Sequence, residues 1–236
     1  ALVAWAGAAS AFVLAAVLSA AAVALLLRLP EAPRGAARER HVLEELRAGA
    51  RLVWRHALLR PILLTAIAWN TAWFVLQAAY VPYAMRSLGL DASGVGVTLA
   101  CYGAGMVVGA LLAAHALRAL PFGRAVQVGP FTSVAASLVM AATLWWPSGT
   151  LAAVSFFMFG AGPILWTITS TTLRQTVTPG AMLGQVSAIF LTVNTGVRPL
   201  GAALGGALGA AYGEQACLIA AALGFAVQAT IIACSP

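Results

Sequence analysis

Residues 62–85 read ILLTAIAWNTAWFVLQAAYVPYAM and carry no charge. The nearest charges are Arg60 and Arg86, so 25 uncharged residues lie between them. A helix needs about 20 apolar residues to cross the hydrocarbon core of a bilayer, which is about 30 Å thick. The stretch is too long and too uniformly apolar for a strand of a membrane barrel. It therefore predicts a transmembrane helix.

The same pattern repeats along the chain. Hydrophobic residues make up 62% of the sequence and charged residues only 8%, whereas a soluble domain carries about 25% charged residues. The cluster from Trp145 to Gly149 divides one long uncharged run, because interfacial tryptophans stand there beside turn residues. The sequence thus predicts an all-α fold, a polytopic transmembrane helix bundle of about seven spans. The predicted spans are 1–27, 62–85, 94–117, 125–146, 151–173, 184–212 and 215–234.

The arginines predict the orientation of these spans. All 13 basic residues are Arg; eight lie in or beside the linker between the first two spans, and three more lie at loops on the same side. Arg86 alone lies on the other side. The positive-inside rule therefore places the linker and the 118–124 loop in the cytoplasm. We expect a multi-pass protein of a bacterial-type inner membrane. Its partner would be the lipid bilayer, and we expect it not to bind nucleic acid.

The linker over residues 30–60 predicts a second kind of helix. From His41 to His56, apolar residues recur every three or four positions, opposite Glu and Arg side chains. This pattern is typical of an amphipathic helix that lies on the inner membrane surface. A helix that binds a calmodulin-like protein would show a similar pattern.

Residues for catalysis or metal binding are sparse. The six carboxylates all lie in loops or at the edges of spans, and the sequence contains neither a phosphate-binding glycine loop nor an HExxH motif. We therefore expect no enzymatic activity. The three cysteines stand singly in apolar spans, so we expect no metal site and no cofactor.

Polar residues inside the predicted spans are the candidates for a binding site. Arg198 falls near the middle of the sixth span, and a charge at that depth should face protein or water. Asn194 lies one turn before it, and Asn70, Trp73 and Gln77 share one face of the second span. Hydrogen bonding between helices is the alternative role. The candidates for a substrate cavity or gate are Asn70, Trp73, Gln77, Trp166, Thr167, Ser170, Asn194 and Arg198.

Glycines recur at a spacing of four residues in two spans. Gly105 pairs with Gly109, and Gly201, Gly205 and Gly209 form a longer stripe. Such stripes let helices approach closely. They fit either static packing or the sliding of helices during a transport cycle.

The last six spans divide into two units of three. Spans two to four occupy about 62–146 and spans five to seven about 151–234, and the two units begin on opposite sides of the membrane. Two three-helix units of equal length and opposite orientation are typical of inverted repeats in secondary transporters.

Three motifs resemble those of one transporter family. Residues 49–56 read GARLVWRH and are followed by Leu58-Leu59-Arg60. Residues 173–175 read LRQ, with Thr178-Pro179 and then LGQV at 183–186. Residues 196–202 read GVRPLGA. Together they resemble the major facilitator superfamily, in its enterobactin-exporter-like and drug-efflux branch.

The sequence departs from the family pattern at two places. The family commonly has Arg where this chain has Gln185, and the usual loop signature after Gly109 keeps only Arg118, Gly123 and Arg124. The second resembling motif still implies a cytoplasmic loop motif made by Arg174, Gln175, Pro179 and Gly184.

The resemblance implies an organisation and a function. The seven spans would be helices 6–12 of a twelve-helix transporter, with an N-terminal half as the missing partner. Residues 1–29 would be the last helix of that half, 30–60 the cytoplasmic linker, and 61–236 a six-helix half. The implied activity is efflux of a small molecule by alternating access, driven by an ion gradient as in an antiporter.

Two other classes of membrane protein share some of these features. A seven-helix receptor matches the number of spans, but a retinal-binding receptor needs a lysine, and the chain has none. A membrane-embedded enzyme is the second alternative, and the absence of catalytic groups at membrane depth disfavours it.

Overall fold

The computed structural model describes residues 2–27 and 42–235. The chain forms two compact units, one up to His41 and the other from Val42 onward. The described part of the first unit is helix α1, Leu2–Leu26, which corresponds to the first predicted span. The predicted start of the linker, residues 30–41, lies outside the described residues.

The second unit consists of seven helices. The first of them, α2 (Val42–Arg55), is the amphipathic helix predicted in the linker. The other six are long and apolar enough to cross a membrane, and no strand occurs within residues 2–27 or 42–235. The predicted all-α membrane bundle is thus confirmed. The six helices are α3 (Leu59–Arg86), α4 (Ala92–Ala119), α5 (Phe122–Ala142), α6 (Gly149–Val177), α7 (Leu183–Tyr212) and α8 (Glu214–Ala233).

Caps and turn residues set the helix ends. Asp91 accepts a hydrogen bond from the backbone N–H of Gly94 at 2.7 Å and so begins α4. The predicted span 125–146 corresponds to α5, which begins three residues earlier, after Pro121, and ends at Ala142. The tryptophans at 145 and 146 therefore lie in the turn rather than in the helix, and both are exposed.

The helix termini define two ends of the bundle. At the outer end, Arg86 forms a 2.6 Å salt bridge with Glu214, so the end of α3 lies beside the start of α8. At the inner end, a cavity brings the start of α3 together with the end of α8. The inner end is the one that the arginine pattern predicts to be cytoplasmic.

The two triplets pack in the same manner. Helix α6 lies against α4 and α5, and α3 lies against α7 and α8. Thus the first helix of each triplet packs on the second and third helices of the other. This arrangement is the one expected of an inverted repeat.

Glycines allow the closest of these crossings. A Cβ atom on Gly105 would overlap the backbone carbonyl of Phe157 on α6, and one on Gly109 would overlap that of Ala161. On α7, a Cβ on Gly201 would lie 2.8 Å from the carbonyl oxygen of Thr71. Both crossings therefore require glycine, because real Cβ atoms do not approach so closely.

The two remaining glycines of the predicted stripe differ from each other. A Cβ on Gly205 would lie 2.9 Å from backbone atoms of Val75, so Gly205 belongs to the α3–α7 crossing. A Cβ on Gly209 would lie 3.6 Å from the sulfur of Cys217 on α8, which is an ordinary contact distance. The close contact between the glycine stripe and α3 therefore ends at Gly205.

Helix α2 packs on the bundle through one edge of its apolar face. Val53 is 1% exposed and lies in an apolar cluster with Phe190 of α7. A Cβ on Gly49 would lie 2.9 Å from the side chain of Ile189, so Gly49 lets α2 approach α7 closely. Leu46 and Trp54 remain exposed on the other edge. The predicted surface helix is thus also a packed part of the second unit.

Candidate functional site

A cavity of about 340 Å³ lies among α3, α4, α6 and α7. It extends from the middle of the bundle, at Tyr102 and Gly160, to Arg174 in the last turn of α6 at the inner end. Six of the eight predicted cavity or gate residues line it. They are Asn70, Trp166, Thr167, Ser170, Asn194 and Arg198.

Arg198 stands near the middle of α7 and reaches across to α3. Its Nε donates a hydrogen bond to Oδ1 of Asn70 at 3.3 Å, and its guanidinium carbon lies 5.8 Å from the centre of the Phe74 ring. The amide of Asn70 donates in turn to the carbonyl of Ala66 at 2.9 Å. A guanidinium has five N–H donors, and Asn70 is the only hydrogen-bond partner of Arg198 within the described residues. Most of its donors therefore remain for a ligand or water in the cavity.

Two other polar groups on the cavity wall have no partner. Nε of Arg174 and Oδ1 of Asn194 are buried and make no hydrogen bond to any described residue. The guanidinium of Arg174 lies instead over the Phe190 ring, 5.0 Å from its centre. A buried polar atom without a partner costs about 1–3 kcal/mol. These two atoms therefore favour the binding of water or a polar ligand beside them.

The α6 wall carries hydroxyl groups beside Trp166. The Thr167 hydroxyl donates to the carbonyl of Pro163 at 3.0 Å, and that of Ser170 donates to the carbonyl of Thr167 at 3.4 Å. Such bonds to the preceding turn satisfy the donors of intramembrane hydroxyls. The oxygen atoms can still accept a hydrogen bond, so the wall presents acceptors as well as cations.

The cavity carries positive charge on an aromatic wall. Arg174 and Arg198 line it, together with Trp69, Tyr102 and Trp166. None of the described residues along its wall is an Asp or Glu. The planar guanidinium group binds carboxylates and phosphates through two parallel hydrogen bonds, and it also stacks on aromatic rings. The lining thus favours a ligand that combines negative charge with flat rings.

The structure places Trp73 and Gln77 away from the cavity wall. Trp73 is 7% exposed and stacks on Trp69 and Tyr102, with ring centres 5.4 Å and 5.1 Å apart. Trp73 therefore packs against two residues of the cavity wall, on their side away from the cavity. Gln77 lies seven residues beyond Asn70 on α3, about 10 Å nearer the outer end, and is half-buried.

The predicted loop motif divides between the cavity and the surface. Arg174 lines the cavity, whereas Gln175 is exposed and Pro179 precedes the short helical turn Gly180–Met182. Gly184 is also exposed, and a Cβ there would meet nothing within 4 Å. The motif thus contributes one cavity residue, Arg174, which the sequence pattern predicts in the cytoplasmic loop.

The sequence pattern did not reveal every wall residue, and two of those it missed lie on α4. Tyr102 and Met106 are one turn apart on α4, on either side of the Gly105–Gly160 crossing. The signal that could have revealed them is their position beside Gly105, since the glycine that brings α6 close also brings its neighbours to the cavity. No group of three His, Cys, Asp or Glu side chains that could hold a metal occurs in the part of the chain that the structure describes.

Comparison with known proteins gives two consistent results. Residues 1–202 match the family profile described as Major Facilitator Superfamily. The chain is 28% identical over 210 residues to the enterobactin exporter of Shigella flexneri, covering 88% of this chain and 48% of that protein. It is 29% identical over 190 residues to the enterobactin exporter of Citrobacter koseri, covering 78% of this chain and 43% of that protein. The chain therefore spans about half the length of the curated relatives it matches.

Proposed function

The chain belongs to the major facilitator superfamily, and from this premise we propose that it is part of a secondary transporter that exports a small molecule by alternating access. The observation that carries the proposal is Arg198, a charged residue at bilayer depth that is hydrogen-bonded to Asn70 on the wall of a cavity. Intramembrane charges mark substrate or ion pathways because they are costly to bury in lipid.

The chemistry of the wall supports an anion with planar rings as the substrate class. Arg174 and Arg198 supply positive charge, and Trp69, Tyr102 and Trp166 supply flat apolar surfaces. The volume of about 340 Å³ falls within the range of small-molecule sites. The two relatives are named as exporters of enterobactin, and we extend export, as a direction of transport, to this chain.

The glycine crossings support alternating access. Gly105 and Gly160 bring the backbones of α4 and α6 into contact, and Gly201 does the same for α7 and α3. Contacts without intervening side chains let helices slide or rock with little repacking. Gly160 lines the cavity, and Gly201 lies one turn from the cavity residue Arg198. Movement at these crossings would therefore open or close the cavity toward one side of the membrane.

We also propose that a second set of helices covers the cavity. Arg198, Thr192 and Thr195 are exposed on α7, and polar groups are rare at lipid-facing positions. The curated relatives are about twice as long as the matched region, which supports an N-terminal half as the covering partner.

Transport by matched arginine variants tests the proposal. The chain would be reconstituted in liposomes together with the covering helices, and efflux of enterobactin and of fluorescein, an unrelated anion with fused rings, would be followed. We expect Arg198→Ala to lower the flux at least about tenfold, because a charged hydrogen bond is worth about 1.5–3 kcal/mol. Arg198→Lys should restore part of it.

The control is Arg86→Ala, which removes the same side chain at the outer end. Arg86 is 75% exposed and bonded to Glu214, away from the cavity. Its loss should leave the flux unchanged. Equal losses in both variants, or undiminished flux in Arg198→Ala, would contradict the proposed role of the cavity.

A further inference from the structure

A second cavity, of about 350 Å³, lies at the inner end of the bundle. It is formed by the end of α2, the turn that leads into α3, and the end of α8. No residue lines both this cavity and the central one. It therefore belongs to the outside of the bundle, and the proposed transport function does not use it.

The second cavity concentrates positive charge. Arg55, His56 and Arg60 line it, and both arginines are exposed. No Asp or Glu stands among the described residues that form its wall. The guanidinium of Arg60 lies over the ring of Trp54, 5.3 Å from its centre. Cation–π contact of this kind holds an arginine in place without neutralising its charge.

His56 adds a hydrogen-bond donor, the Nε2–H group of its ring. Its Nδ1 accepts a hydrogen bond from the backbone N–H of Leu58 at 3.2 Å. An imidazole whose Nδ1 accepts a bond carries its proton on Nε2, so Nε2 is a donor. Ser235, at the end of α8, also lines the cavity, and its hydroxyl donates to the carbonyl of Ile232 at 2.7 Å. Two guanidiniums and an imidazole N–H form a donor set suited to phosphate oxygens.

The wall becomes apolar toward the middle of the membrane. Leu64 lies one turn deeper than Arg60 on α3, and Ile231 lies about one turn deeper than Ser235 on α8. Trp54 is 56% exposed at the mouth, a position that tryptophan favours at the membrane interface. A cavity with cations at its mouth and aliphatic side chains below fits a headgroup with an acyl chain attached. Inorganic phosphate would use only its upper part.

We propose that this cavity binds the phosphate headgroup of an anionic phospholipid from the leaflet at the arginine-rich end. Arg55, His56 and Arg60 contact the phosphate, and Leu64 and Ile231 contact the first part of an acyl chain. Basic pockets between transmembrane helices are typical sites for such headgroups. Because the cavity joins α2 to α3 and α8, the bound lipid holds the linker helix against the bundle.

Native mass spectrometry of the full 236-residue chain tests the proposal. The chain would be purified in neutral detergent and titrated with phosphatidylglycerol, phosphatidylcholine or inorganic phosphate. We expect one phosphatidylglycerol to bind at low concentration and to raise the melting temperature, since a ligand specific for the folded state stabilises it. Phosphatidylcholine and inorganic phosphate should bind much more weakly.

Charge-matched double variants locate the site. Arg55→Gln with Arg60→Gln should weaken phosphatidylglycerol binding roughly thirtyfold. Arg118→Gln with Arg124→Gln removes two exposed arginines at the end of α4 and the start of α5, outside this cavity. This variant should bind the lipid as the wild type does. The pair Arg55→Lys with Arg60→Lys should retain most of the binding, and melting without lipid checks that each variant is folded.

Three results would overturn the proposal. Equal losses in the two Gln pairs would mean that general surface charge attracts the lipid. Equal binding of phosphatidylcholine would mean that the headgroup charge is not recognised. Binding of inorganic phosphate at the same concentration as the lipid would mean that the apolar part of the cavity contributes nothing.

Discussion

The outer and inner halves of the six-helix bundle differ in the hydrogen bonding of their buried polar side chains. In the outer half, Tyr83 and Thr143 share a buried hydrogen bond of 2.8 Å, Tyr80 bonds Thr98, and a salt bridge joins the helix ends. In the inner half lie all six buried side-chain N and O atoms that have no partner among the described residues. They belong to Thr65, Arg174, Thr178, Gln185, Asn194 and Gln228.

This difference distinguishes polar groups that stabilise the fold from polar groups that serve a ligand. A protein that needs only stability satisfies its buried polar groups, as the outer half does. The inner half keeps unsatisfied groups, of which Arg174 and Asn194 lie on the cavity wall, at a cost of about 1–3 kcal/mol for each atom. We infer that the outer half closes the bundle and that the inner half holds the site that would exchange partners during the proposed transport cycle.

The largest expected effect is at the crossing where the two halves meet. Gly105→Leu would place a side chain into the backbone of α6 at Phe157 and should destabilise the chain by about 3 kcal/mol or more. Gly103→Leu is the control, because Gly103 is exposed and a Cβ there meets nothing within 4 Å. Thermal unfolding in detergent measures both. Equal stability of the two variants would show that α4 and α6 are not in close contact.

The next effect concerns the closed outer half. Tyr83→Phe removes a hydroxyl from a residue that is 1% exposed and breaks its bond to Thr143. We expect a loss of about 1–2 kcal/mol in the free energy of unfolding. Tyr212→Phe, at an exposed position, should cost nothing measurable. If Tyr83→Phe is also neutral, the outer half is not held by its hydrogen bonds.

The smallest effect on stability is expected in the inner half. Asn194→Leu replaces a side chain whose buried Oδ1 has no partner among the described residues. Stability should stay constant or rise by about 1 kcal/mol, while transport falls, because the polar group serves the ligand. The unfolding midpoint and the flux are measured on the same preparation. A clear loss of stability would contradict this interpretation and show that Asn194 has a structural partner.

The spans could be predicted from the sequence because charge is so scarce in it. Arg60 and Arg86 bracket α3 to within one residue, and the Trp145–Trp146 pair correctly separated α5 from α6. The end of α5 was placed four residues too late, since interfacial tryptophans lie equally well in a helix or in the turn after it.

The site was less predictable because it depends on packing between distant segments. Asn70 and Trp73 are only three residues apart in the sequence. Asn70 accepts a hydrogen bond from Arg198 of α7. Trp73, in contrast, is buried among the rings of Tyr102, Phe156 and Phe159. Sequence periodicity predicts which residues share a face of a helix, but not which other helix packs against that face. The role of Gly49 in docking α2 on Ile189 was hidden for the same reason.

Cysteine accessibility tests the contrast between the two halves most directly. In a background without native cysteines, Ser170→Cys places a thiol on the cavity wall, and Thr143→Cys places one in the closed outer half, at a position that is 1% exposed. Membrane vesicles of either orientation would be treated with an impermeant maleimide. We predict that Ser170→Cys reacts at least about tenfold faster from the arginine-rich side and that Thr143→Cys reacts from neither side. Faster reaction of Thr143→Cys, or labelling of Ser170→Cys only from the opposite side, would contradict an open inner half and a closed outer one.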